Sequence, residues 1–145
     1  MNLKTWMKHH GYDLADINRR GEHDYTALMR AAKDGEADIV AELLKVEGID
    51  LNLRNVDGNN ALWNACFANS HAIAEMLIAA GIAIDCMNDN GVTALMYTAS
   101  SGREALTQLL IEAGADTTIR NLDDFTALDL ASTYRTVKML RAATA

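Results

Sequence analysis

The chain has 145 residues, half of them apolar, few aromatics, no proline and a formal charge of -7. That length suffices for one domain with a continuous core. The acidic balance excludes a nucleic-acid partner, which needs a basic stripe for the phosphates. Two cysteines, Cys66 and Cys86, make neither a disulfide framework nor a zinc-like spacing, so two reduced thiols are expected.

Met1 to His10 carries two lysines and no apolar run, so no signal peptide is expected. No stretch approaches the roughly 18 to 20 apolar residues that span a bilayer. A cytoplasmic home without membrane contact follows as an expectation. Leu3 to His10 reads as a helix with Leu3, Trp6 and Met7 turned inward. Gly11 to Ile17 is a long connection.

Beyond it the pattern Thr26-Ala27-Leu28-Met29 returns as Asn60-Ala61-Leu62-Trp63, Thr93-Ala94-Leu95-Met96 and Thr126-Ala127-Leu128-Asp129. The starts are spaced by 34, 33 and 33 residues. A fixed period of this size means a stack of small units, each touching only its neighbours.

The first unit carries Leu28, Ala31, Ala32, Gly35, Ile39, Val40, Leu43, Leu44 and Gly48. An extra residue near Val46-Glu47-Gly48 accounts for the spacing of 34. The second has Gly58 in its turn, then Leu62, Ala65, Ile73, Leu77, Ile78 and Gly81. The third is the most regular. Asn88-Asp89-Asn90-Gly91 is a turn, and Thr93 caps a helix that buries Leu95 and Ala99. Ser100-Ser101-Gly102 breaks that helix. A second helix runs from about Arg103 to Ala113, with Leu106, Leu109, Leu110 and Ala113 on one face. The fourth unit starts at Asn121 and stops early. Thr133 to Ala142 reads as a closing helix that packs through Val137, Met139 or Leu140 and turns Arg135, Lys138 and Arg141 to water.

These blocks resemble the ankyrin repeat. Gly58 and Gly91 match its turn glycine. Ala31-Ala32, Ile39-Val40, Leu43-Leu44 and Gly114-Ala115-Asp116 match its other blocks. The likeness covers residues from about 17 to 140. Ala27, Ala61, Ala94 and Ala127 replace the family's proline. Met29, Trp63, Met96 and Asp129 replace its histidine, and Asp24 and Asp124 stand at a turn-glycine position. The proline-free style looks more bacterial than animal. The resemblance implies an all-α ankyrin-repeat solenoid of about four helix-turn-helix repeats with helical caps. The expected layout is a single domain: an N-terminal cap over 1–17, repeats over 18–51, 52–84 and 85–117, and the fourth repeat with its cap over 118–145.

No nucleophile elbow, phosphate-binding glycine loop or metal-binding histidine pair occurs. His9, His10, His23 and His71 are scattered. No enzyme activity, metal or cofactor is expected. The resemblance implies binding instead, because in that fold the turn tips and first-helix faces line one concave side. The positions before the caps hold Tyr25, Asn59, Val92 and Phe125. Four residues after the caps come Arg30, Asn64, Tyr97 and Leu130, and then Lys33, Phe67 and Ser100. Tyr25, Phe67, Val92, Tyr97 and Phe125 read as an exposed apolar strip of the kind that marks interfaces. Core placement competes with that reading, most strongly for Phe125 and Leu130. Trp63 is expected to pack mainly on Met29 and Met96, with an exposed edge open to a partner. Asp89 joins Glu22, His23, Asp24, Asp57, Asp123 and Asp124 at the turn tips, either to steer a basic partner or simply as favoured turn residues.

The partner-facing set is therefore Tyr25, Arg30, Lys33, Asn59, Trp63, Asn64, Phe67, Asp89, Val92, Tyr97, Ser100 and Phe125. The function expected is non-catalytic binding of another protein, to inhibit, mask or recruit it. An immunity- or antitoxin-type inhibitor is one alternative. A structural assembly subunit or self-associating adaptor is the other, so monomer and weak homo-oligomer both stay open.

Overall fold

The computed structural model describes residues 1–144. Among them the regular structure is helical, with one isolated bridge between Asp13 and Asp16 and no strand. The chain divides into two compact units, Met1–Ile82 and a second that begins at Ala83.

In the first unit, α1 (Leu3–His9) packs on α3 (Ala37–Leu43). A 3-10 turn at Glu22–Asp24 leads into α2 (Ala27–Lys33). Helix α2 packs on α3 and on α4 (Ala61–Phe67), and α5 (His71–Ala79) packs on α4 and α3. In the second unit, α6 (Ala94–Ser100) packs on α7 (Glu104–Glu112) and α8 (Ala127–Leu130). The closing helix α9 (Tyr134–Thr144) covers α7 and α8.

The helices start where the sequence supplies caps. Thr26, Asn60, Thr93 and Thr126 each accept a bond from the backbone N–H three residues on. At Thr126 the bond is reciprocated, since the Thr126 N–H donates to Asp129 Oδ2 at 2.9 Å. The bonds from the Thr126 backbone and hydroxyl hold the Asp129 carboxyl below its usual range. Leu28, Leu62 and Leu95 lie behind the caps at 2% exposure or less, and Trp6, Met7 and Leu140 are buried in the two end helices. The extra residue of the first unit is absorbed beyond α3. That helix stops at Leu43, and Lys45 and Val46 continue as tight i+3 turns.

The turns are built alike. Asn55, Asn88 and Asn121 each accept two backbone N–H groups through Oδ1, at 2.9–3.0 Å. One turn then bonds the next: Val56 N donates to His23 O, and Leu122 N donates to Asn90 O. The fourth turn residue is left-handed in every repeat, as Asp24 (φ 61°), Gly58 (81°), Gly91 (73°) and Asp124 (68°). Aspartate reaches this region at a cost that glycine does not carry. Asp124→Gly is expected to raise stability by about 0.5–1 kcal/mol. A lowered midpoint in thermal unfolding would show that the Asp124 side chain contributes more than its backbone strain.

Candidate interaction site

In the first unit the turn at Asn55–Asn59 and the exposed side of α4 meet the end of α2. Tyr25, Lys33, Asp57, Asn59, Trp63, Asn64 and Phe67 line a cavity of about 240 Å³ there. Its wall is aromatic. Trp63 and Phe67 lie one helical turn apart, and their rings stack 6.2 Å apart at 15°. Phe67 is 48% exposed. Lys33 Nζ sits 5.1 Å from the centre of the Tyr25 ring, a cation–π placement. Tyr25 is fixed from behind, because its carbonyl accepts from Tyr12 Oη at 2.9 Å and from the Gly21 N–H at 2.8 Å. Burial, above all, raises the Tyr12 phenol above its ordinary range.

The floor is made of amides. Asn64 Nδ2 donates to Asn60 O at 3.1 Å, which turns Oδ1 toward Tyr25 Oη at a long 3.4 Å. The Asn59 N–H donates to Asn55 Oδ1, whereas Asn59 Oδ1 is buried with no donor.

Of the partner-facing residues expected in this unit, all but Arg30 line the cavity. Arg30 is exposed, and its Nε bonds Asp34 Oδ2 at 2.8 Å. That hydrogen bond, first, raises the guanidinium pKa further. Asn59 and Asn64 are corrected in one respect: at 7% and 2% exposure they form the floor and are not outward contacts. Counting along the helix from its cap does not register the cover that Tyr25 supplies from another repeat. Trp63 is half-buried and stacked on Phe67, so it is a wall residue of the cavity as well as a core neighbour. Asp57 stood only among the turn tips in the sequence. Its place two residues before Asn59, on the same turn, was the signal for its part in the cavity.

In the second unit, Asp89 and Ser100 are exposed, while Val92 and Tyr97 are half-buried. Arg103 lies over the Tyr97 ring at 5.5 Å, and Ser100 Oγ donates to Tyr97 O at 3.0 Å. Phe125 is 47% exposed, so its core placement is overturned, and Leu130 is half-buried. Helix α8 is only four residues long, too short to cover a ring on the turn before it.

A larger cavity of about 480 Å³ lies at the amino-terminal end, lined by Met1, Leu3, Asp38, Ile39, Glu42 and their neighbours. None of the partner-facing residues reaches it. Among the described residues no three His, Cys, Asp or Glu side chains converge on a metal-sized site.

The family model for ankyrin repeats in three copies matches residues 3–88 and 77–144. The chain belongs to the ankyrin-repeat family. Among solved structures it is similar to the ankyrin-repeat domain of Bcl-3, which is described as a unique member of the IkappaB protein family. The TM-score is 0.82 at 27% identity, over 87% of this chain and 55% of that one. This ankyrin-repeat chain thus spans little more than half the length of that relative. No curated protein matches it in sequence. Ankyrin repeats are generally protein–protein interaction modules and typically non-catalytic.

The Asn59 geometry gives a stability prediction. A buried acceptor without a donor already carries its desolvation cost, so Asn59→Leu is expected to leave stability unchanged or to raise it by about 1 kcal/mol. Asn64→Leu removes two bonds and is expected to cost about 1–3 kcal/mol. Urea unfolding of both variants checks this. Equal losses would mean that Asn59 Oδ1 has a donor in solution.

Proposed function

We propose that this ankyrin-repeat chain binds a partner protein through its first-helix faces and turn tips, without catalysis, and thereby inhibits, masks or recruits it. The observation that carries the reading is the aromatic-walled cavity of the first unit, where Tyr25, Trp63 and Phe67 surround an open space. Large aromatic side chains held in place before contact lose little entropy on docking, and such residues are frequent interface anchors. In the second unit the proposed contact set comprises Val92, Tyr97 and Phe125, together with Asp89 and Ser100.

The charge favours a specific form of this reading, an immunity- or antitoxin-type inhibitor of a basic surface. Glu22, Asp24 and Asp57 are exposed at the turn tips of the first unit, where they would speed encounter with a cationic partner. A cytoplasmic location belongs to the same proposal. No described helix is long and apolar enough to cross a membrane. A second reading, self-association, is favoured by exposed Leu122 and Tyr134, at 75% and 80%.

A pull-down from lysate with the wild-type chain beside a Tyr25→Ala, Phe67→Ala, Tyr97→Ala variant of unchanged helicity tests the proposal. The expected outcome is a partner captured by the wild type alone and released as salt rises. Equal capture by both would move the site off these faces. Capture of none, with a dimer in sedimentation, would favour self-association.

A further inference from the structure

We propose that Asn90 is a site of spontaneous modification. It loses its side-chain amide to the backbone nitrogen of Gly91 and becomes isoaspartate and aspartate, at a rate set by opening of the third turn, and the isoaspartate form releases the fourth turn from the third.

Asn90 is the one asparagine of the chain followed by glycine, and it is exposed. Ring closure at an asparagine needs the next backbone nitrogen to reach Cγ, and a neighbour without a Cβ leaves that approach open. The closed turn opposes it. The peptide group between Asn90 and Gly91 is held at both ends: its N–H donates to Asn88 O at 2.8 Å, and its carbonyl accepts from Leu122 N at 3.1 Å. That group can turn toward Cγ only when the turn opens.

A comparison of the repeats says where opening is easiest. Arg20, Arg54 and Arg120 stand at the same position of three repeats. Each donates to the carbonyl of the left-handed residue of its turn, to Asp24 at 3.4 Å, Gly58 at 2.9 Å and Asp124 at 2.8 Å. The third repeat has Met87 there, and a thioether has no N–H to donate. The turn that carries Asn90 and Gly91 is thus the one built without a guanidinium clamp. Its side-chain tie is Asn88, whose Oδ1 accepts from Asn90 N at 2.9 Å and from Val92 N at 3.0 Å.

The chemistry balances with water as the co-reactant. Gly91 N gives its proton to solvent and bonds Asn90 Cγ. The Cγ–Nδ2 bond breaks, and Nδ2 takes a proton from solvent and leaves as ammonia. Water then opens the cyclic imide at either carbonyl. Opening at Cγ gives aspartate. Opening at the main-chain carbonyl gives isoaspartate, in which the chain runs through Cγ and is one carbon longer. The oxygen that accepts from Leu122 N then belongs to a free carboxylate beside the chain, so the joint between the two turns is lost. Either product adds a negative charge at the turn.

The full chain is incubated in mildly alkaline buffer beside Met87→Arg and Asn88→Ala variants of unchanged helicity. Isoelectric focusing, peptide mapping and an isoaspartyl methyltransferase assay follow the conversion. Asn90 is expected to convert ahead of every other asparagine. Asn88→Ala, which removes two backbone bonds from the turn, is expected to speed conversion roughly tenfold, and Met87→Arg, which adds one, to slow it roughly threefold. In the isoaspartate fraction the Leu122 amide is expected to exchange with deuterium roughly tenfold faster. Four results overturn the proposal: earlier conversion of another asparagine, no conversion of Asn90 while the urea-unfolded chain converts, equal rates in the three chains, or a Leu122 amide as protected in the isoaspartate fraction as before.

Discussion

Replacing Leu62 by alanine is expected to lower the unfolding free energy by about 3–5 kcal/mol. Leu62 is 0% exposed and sits on α4, which packs on both α2 and α5. Truncation removes contacts from two helix neighbours at once, and the hydrogen-bonded turns hold the helices where they are, so the void cannot close easily. Against a typical total of 5–15 kcal/mol, such a loss is large. For a chain of this size it corresponds to a fall in Tm of roughly 10–16 °C. Circular dichroism melts of the two proteins measure it. A loss below about 1 kcal/mol would mean that the helices collapse into the space.

Gly91→Ala is expected to cost about 2–3 kcal/mol. At φ 73° an alanine meets its own carbonyl, a strain of about 1–2 kcal/mol. Its Cβ would also stand 3.1 Å from Leu122 N and 3.2 Å from Asn121 Cα. These are backbone atoms, and they cannot rotate away. The Leu122 N–H to Asn90 O bond of 3.1 Å, which ties the two turns, must stretch or break. Gly114→Ala is the control. Its φ is 94°, yet nothing lies within 4 Å of the added carbon, so it carries the backbone strain alone. Denaturant midpoints of the two variants isolate the crowding. Equal losses would show that the turn contact contributes nothing.

Much of this architecture is legible in the chain because its causes are local. Thr93 caps α6 because a hydroxyl three residues ahead of a free N–H is all a cap requires. Leu106 and Leu110 are buried because the period of α7 puts them on one face, although α7 ends one residue before Ala113. The binding face is less legible, since cover there comes from residues far along the chain. Asn64 reads as a surface position when counted from Asn60, and Tyr25, 39 residues away, bonds its side chain. Asn59 turns inward because Asn55 holds its N–H. Phe125 fails in the opposite direction: nearness to a cap suggested cover, and the four-residue α8 does not extend far enough to provide it.

The asparagines at 55, 88 and 121 have a consequence for how such a chain changes over generations. Each holds its own turn with its own side chain, and within each unit the second N–H of one turn meets the third carbonyl of the other. A copied segment of 33 residues therefore arrives with its turn already held and with the backbone groups that such a joint uses. Under unequal exchange between repeats the turns themselves need no compensating change, and selection is left to act on the side chains that differ from copy to copy.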